Sequence, residues 1–94
     1  MDARYLEEIK AILKKYLNQN QRVFLFGSRA AGTAHKYSDV DIAIEADQPL
    51  DPATKVKLEE SFENSNVPFR VDIVDFSQVS EDFKAVAKQH LLPL

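Results

Sequence analysis

Two apolar periods alternate along this chain, and each switch between them marks the end of an element. Between residues 2 and 18, Tyr5, Leu6, Ile9, Ile12, Leu13, Tyr16 and Leu17 recur at spacings of three and four. That spacing puts them on one stripe of a helix. Asp2 is a suitable N-cap, because a short carboxylate can accept from first-turn N–H groups. The polar run Asn18-Gln19-Asn20-Gln21 ends the helix. Arg22 to Phe26 (RVFLF) is short, β-branched or aromatic, and stopped by Gly27, so it predicts a buried strand. Residues 28–32 have room for a short helical turn. Residues 33–38 (TAHKYS) show no period and predict a loop.

The period then becomes two. In residues 39–45 (DVDIAIE), Val40, Ile42 and Ile44 point one way, and Asp39, Asp41, Ala43 and Glu45 point the other. A loop follows at 48–51. Pro52 then suits the first turn of a helix over 52–64, with Val56, Leu58 and Phe62 among its apolar positions. Residues 69–75 (FRVDIVD) predict a third strand. Ser77 or Ser80 can cap a last helix running to Leu92, where Pro93 stops it. Helix, strand, turn, strand, helix, strand, helix is the order of an α/β layer: a small mixed sheet with flanking helices.

Composition narrows the class. Ninety-four residues suit a single domain over 1–94 and leave no room for a second, substrate-binding one. A net charge of −3 weighs against nucleic acid as a direct partner, because the phosphate backbone is recognised through excess positive charge. The absence of cysteine excludes disulfides and thiolate metal sites, and it suits the reducing cytoplasm where we expect this protein. No apolar run approaches the ~20 residues of a membrane span. The acidic, amphipathic start MDARYLEEIK does not fit a signal peptide.

Three features carry candidate chemistry. Asp39 and Asp41 lie on one face of one strand, ~6.7 Å apart along the backbone at ~3.3 Å per residue. Carboxylates so placed can converge on Mg²⁺, which takes oxygen ligands and substrate phosphates. Two such ions can clamp an in-line phosphoryl displacement. Taken alone, Asp-x-Asp is common and reads as the solvated edge of an amphipathic strand. Gly27-Ser28 follows the buried strand directly, where glycine allows a tight turn and the next N–H groups can hold phosphate oxygens. By itself it is also an ordinary strand-to-helix turn. Asp72 sits between Val71 and Ile73 and can complete a three-carboxylate site if its strand lies beside 39–45; alone, it is a solvated surface acid. Asp75 points to the other face, as a turn or cap residue does.

In combination these residues resemble a known family. Gly27-Ser28, ten residues, then Asp39-Val40-Asp41 matches the G-S-x10-D-x-D signature of the DNA polymerase β-like nucleotidyltransferases. The stretch GSRAAGTAHKYSDVDIAIE is similar to their minimal nucleotidyltransferase (MNT) branch, and Val71-Asp72-Ile73 matches the short strand of the third acid. The resemblance covers residues 22–75. Ala31 departs from it, standing where a basic residue is common.

The resemblance implies a polymerase β palm-like core that transfers a nucleoside monophosphate, here AMP from ATP. It implies that Gly27, Ser28 and Arg29 bind the nucleotide, with Arg29 equally suited to a structural salt bridge. It implies that Asp39 and Asp41 bind two Mg²⁺ ions, with Asp72 sharing the catalytic one and taking a proton from the acceptor. Minimal members are commonly paired with a helical HEPN-domain protein as antitoxin and toxin, the acceptor being a tyrosine of the toxin. Two other readings stay open: a non-catalytic module that occludes such a partner, and a stand-alone small-molecule or RNA nucleotidyltransferase. His35, Lys36 and His90 read as loop or helix-end residues. Tyr37 and the tail leucines Leu91, Leu92 and Leu94 are candidate docking residues, and the tail leucines suit capping of the core equally well.

Overall fold

The computed structural model describes residues 1–94. The first helix, α1 (Ala3–Tyr16), begins where Asp2 accepts from the Arg4 N–H, and it buries Ile9 and Leu13. The first strand, β1 (Arg22–Phe26), leads into a single-turn helix, α2 (Ser28–Ala31), closed by Gly32 in the left-handed region. After the loop comes β2 (Val40–Glu45). Asp51 caps α3 (Pro52–Glu63), with Pro52 in its first turn. The third strand, β3 (Val71–Asp75), runs into a 3₁₀ turn over Phe76–Gln78 that Asp75 caps. Ser80, rather than Ser77, caps α4 (Glu81–Ala87).

The sheet order is β3-β2-β1-β4. β1 is antiparallel to β2, and β2 is parallel to β3 through the α3 crossover. One face is covered by α1 and α3. Ile9, Leu13, Leu58 and Phe62 pack there against Leu25, Val40, Ile42, Ile44 and Ile73. Val40, Ile42 and Ile44 are the inward set that the two-residue period predicts, and Ile73 joins them on the face opposite Asp72.

Two expectations are corrected. The last helix stops at Ala87, five residues before Leu92, and Leu92–Pro93 form a short fourth strand, β4, antiparallel to β1. The tail serves both faces of the sheet: Leu91 packs against the cluster of Phe26 and Phe76, whereas Leu94 packs against the larger core. An extended chain alternates its side chains across a sheet and can do this, and a helix cannot. Pro93 is tolerated because an edge strand has one side that needs no donor. Of the tail leucines, only Leu92 is exposed.

The second correction concerns Ala43. Grouped by period with Asp39 and Asp41 on a polar face, it is fully buried beneath Phe76 and Ala87. The second face of the sheet is therefore part-exposed at its two ends, at Asp41 and at Glu45. Burial of Phe26, Ala43, Phe76 and Ala87 closes its middle.

Candidate active site

The site is assembled where β1 ends and β2 and β3 begin. Gly27 turns the chain out of β1 with φ of +71°, a conformation that L side chains rarely adopt. A Cβ at this position would run into the Asp41 carboxylate oxygen and lie 3.2 Å from its Cγ. Glycine is thus required twice, for the backbone angle and for the approach of Asp41 to the turn. Ser28 follows as the first residue of α2.

Asp41 is opposite Phe26 in the antiparallel pair and opposite Asp72 in the parallel pair. Neighbouring strands are ~4.8 Å apart, and residues in register share a face, so Asp41 and Asp72 stand side by side. Asp39 lies one residue before β2 and is exposed. Burial pushes the Asp41 carboxyl up from its ordinary value, and the charges of Asp72 and then Asp39 push it further. No ion pair engages Asp41. Asp72 accepts instead from Arg70 Nε at 3.2 Å.

The three acids do not gather as tightly as a single coordination shell requires. The structure brings Asp41 and Asp72 together with Gly27 and Ser28, and leaves Asp39 at the rim. The donor chemistry nonetheless fits a hard divalent cation. All three donors are carboxylates, and the central one is raised by burial and then by its neighbours' charge, the part a cation would relieve.

Arg29 is occupied by the loop that precedes Asp39. Its Nη2 and Nε donate to the Ser38 carbonyl at 2.8 and 3.2 Å, and Nη2 also reaches the Lys36 carbonyl at 3.4 Å. Its guanidinium lies 4.2 Å above the Phe69 ring. The structural alternative for Arg29 therefore takes the form of carbonyl bonds and stacking, without a carboxylate partner. His35 and Lys36 are exposed on the same loop, whose backbone N–H at His35 donates to Ser38 Oγ at 2.7 Å. Tyr37 is 77% exposed. Sequence reasoning missed Arg70, although the signal was present: Arg70 and Asp72 are two apart, and in a strand that spacing shares a face.

Residues 7–92 match the family model described as "Polymerase beta, Nucleotidyltransferase". The chain belongs to this nucleotidyltransferase family. Within it, the chain is similar to the probable protein adenylyltransferase MntA of Haemophilus influenzae. The two are 43% identical over 82 residues, which cover 84% of this chain and 72% of the relative. Protein adenylyltransferase MntA of Shewanella oneidensis is 33% identical over 73 residues, 78% of this chain and 52% of the relative, so this chain spans about half of that protein's length. Among solved structures, a chain in a toxin–antitoxin crystal structure with AMP-PNP has the same fold. Its TM-score is 0.75 at 28% identity, covering 93% of this chain and 69% of that one. No helix is long and apolar enough to cross a membrane.

Proposed function

We propose that this chain transfers AMP from ATP to a tyrosine hydroxyl of a helical HEPN-domain toxin and thereby acts as its antitoxin. The observation that carries this reading is the register of Asp41 with Asp72 on one face, with Gly27 pressed against Asp41. Similarity to the MntA adenylyltransferases and to a toxin–antitoxin chain solved with AMP-PNP supports the nucleotide and the partner.

Asp39 and Asp41 would hold two Mg²⁺ ions, with Asp72 sharing one of them. Bound there, the cations would supply charge neutralisation for the triphosphate and for the phosphoryl group in transfer. Ser28 donates its hydroxyl to phosphate oxygens beside the Gly27 turn. The acceptor oxygen attacks the α-phosphorus, the bond from that phosphorus to the bridging oxygen breaks, and pyrophosphate leaves. Asp72 takes the phenolic proton. Arg29 acts by position, since its hold on the Ser38 carbonyl fixes the residue before Asp39. Catalysis of this kind is mainly alignment and charge stabilisation, so a small set of side chains suffices.

The test is incubation with the partner toxin and ATP labelled at the α-phosphate. Label should enter the toxin with stoichiometric release of pyrophosphate. A protein that binds and neutralises the toxin while transferring no label is an occluding module, and the transferase reading then fails.

A further inference from the structure

Two concavities adjoin the site, one at Asp72 and one at Gly27-Ser28, and their chemistry differs. The one beside Asp72 runs along α3 and is rimmed by Glu59 and Glu63 as well as Asp72. Arg70 also lines it but is paired to Asp72, so the carboxylates outnumber the one cation and disfavour a triphosphate. The other, of about 360 Å³, shares Gly27 and Ser28 with the site and lies between α2 and α4. Its floor is Phe26 and Ala87, and its wall is Phe83 and Val86. Phe83 is 43% exposed and Val86 67% exposed, and they stand three residues apart on α4, so one helix face presents both to the space beside Ser28. Phe83 is braced edge-on against Phe26, with ring centroids 6.1 Å apart. Thr33, Gln89 and His90 supply a polar rim.

We infer that this α2–α4 cleft is the nucleoside site, with Phe83 the aromatic surface on which the base of the nucleotide stacks. The inference rests on the transferase reading and deepens it. A nucleoside triphosphate is continuous, so phosphates held at Gly27-Ser28 favour entry of the nucleoside into a concavity that touches those two residues. This cleft does so, and the Asp72 cleft does not. A base needs a flat apolar partner and a few hydrogen-bonding groups at its edge, which Phe83, Val86 and the polar rim provide. The acidic cleft beside Asp72 is left for the acceptor.

The experiment compares ATP with inorganic tripolyphosphate, both with Mg²⁺, by calorimetric titration. Phe83→Ala should weaken ATP about 5- to 100-fold, the range for loss of one aromatic–base stack, and leave tripolyphosphate unchanged. Because Phe83 also packs on Phe26, a second variant keeps the ring: Phe83→Trp. The chain has no tryptophan of its own, so the emission of the introduced indole should be quenched by ATP and not by tripolyphosphate. Wild type that binds both ligands while Phe83→Ala weakens neither, or both equally, overturns the nucleoside site alone. Unchanged ATP binding with a loosened toxin complex makes the α4 face a docking surface and equally overturns it. Wild type that binds neither ligand sinks the transferase reading, and the nucleoside site with it.

Discussion

Asp41 and Glu45 stand on the same strand and the same face, four residues apart, and their surroundings are opposite. Glu45 meets Arg22 Nη2 at 3.1 Å and Lys88 Nζ at 3.4 Å. Burial raises its carboxyl, but the Arg22 hydrogen bond and the Lys88 charge outweigh that, and the net shift is downward. Asp41 is also part-buried, yet its neighbours are two more acids, and its shift is upward. Between them Ala43 is sealed under Phe76 and Ala87. One end of this face is thus electrostatically satisfied, and the other is left in deficit of positive charge. Folding alone gives no reason to hold Asp41 against Asp72 and Asp39, so the deficit marks the end where a ligand's charge is expected.

The strongest way to break this contrast is to neutralise the deficient end. Asp39→Asn with Asp41→Asn should reduce AMP incorporation into the toxin by at least about 10²- to 10³-fold, as loss of transition-state charge stabilisation does elsewhere. Stability should be unchanged or slightly raised, because mutual repulsion is removed, and the toxin complex should still form. Labelled incorporation and co-elution read the two effects separately. Incorporation near the wild-type level would remove both acids from the mechanism.

Next in size is the turn that serves the same end. Gly27→Ala should lose about 3 kcal/mol, because its φ of +71° and ψ of −153° belong to a region essentially confined to glycine and the new Cβ collides with Asp41. Gly32 is the internal control. It has φ of +79° but nothing within 4 Å of a would-be Cβ. Gly32→Ala should therefore lose only the strain, about 1 kcal/mol. Urea denaturation of the two variants measures the difference, and equal losses would show that neither the Gly27 backbone angle nor the approach of Asp41 adds to the αL strain.

The site was legible in the sequence to the extent that it rests on short-range pattern. Strand period placed Asp39, Asp41 and Asp72 on faces, and the spacing from Gly27-Ser28 pointed to the family. The parallel register of Asp41 with Asp72 depends on the α3 crossover, and one sequence gives no information on which strand edge Asp72 meets. The buried Ala43 shows the same limit. A period of two assigns a face, but what covers that face is decided by elements over thirty residues away in the chain. Residues 88–92 depart from the expected helix because Leu91, Leu92 and Leu94 suit helical and extended spacing equally in so short a run. The unpaired edge of β1, a tertiary feature, selects the extended form.

A smaller effect tests the satisfied end. Glu45→Gln removes both ion pairs, but Arg22 and Lys88 are largely solvated. The loss should be only about 0.5–1 kcal/mol, it should shrink at high salt, and AMP incorporation should be unaffected. A fall in incorporation comparable to that of the Asp39 and Asp41 changes would mean that the two ends are not separate.

The subtlest test is the pH dependence of these two carboxyls, because their shifts have opposite signs. For Asp41 the folded pKa lies above the ordinary 3.8. Between the two values the folded state binds more protons than the unfolded one. The contribution of Asp41 is therefore fully present below 3.8 and is lost as pH rises through its raised folded pKa. For Glu45 the folded pKa lies below the ordinary 4.5, so its contribution is present above 4.5 and is lost as pH falls through the lowered value. The stability of Asp41→Asn relative to wild type should consequently improve with rising pH, while that of Glu45→Gln should worsen. Urea denaturation at intervals between about pH 3 and pH 7 spans both windows. Added Mg²⁺ should stabilise wild type increasingly as pH rises, because ionised carboxylates are the better ligands, and should have little effect on Asp41→Asn. If the two variants trend in the same direction with pH, the electrostatic opposition of the two ends is wrong, and the chemical assignment of the Asp41 end loses its physical support.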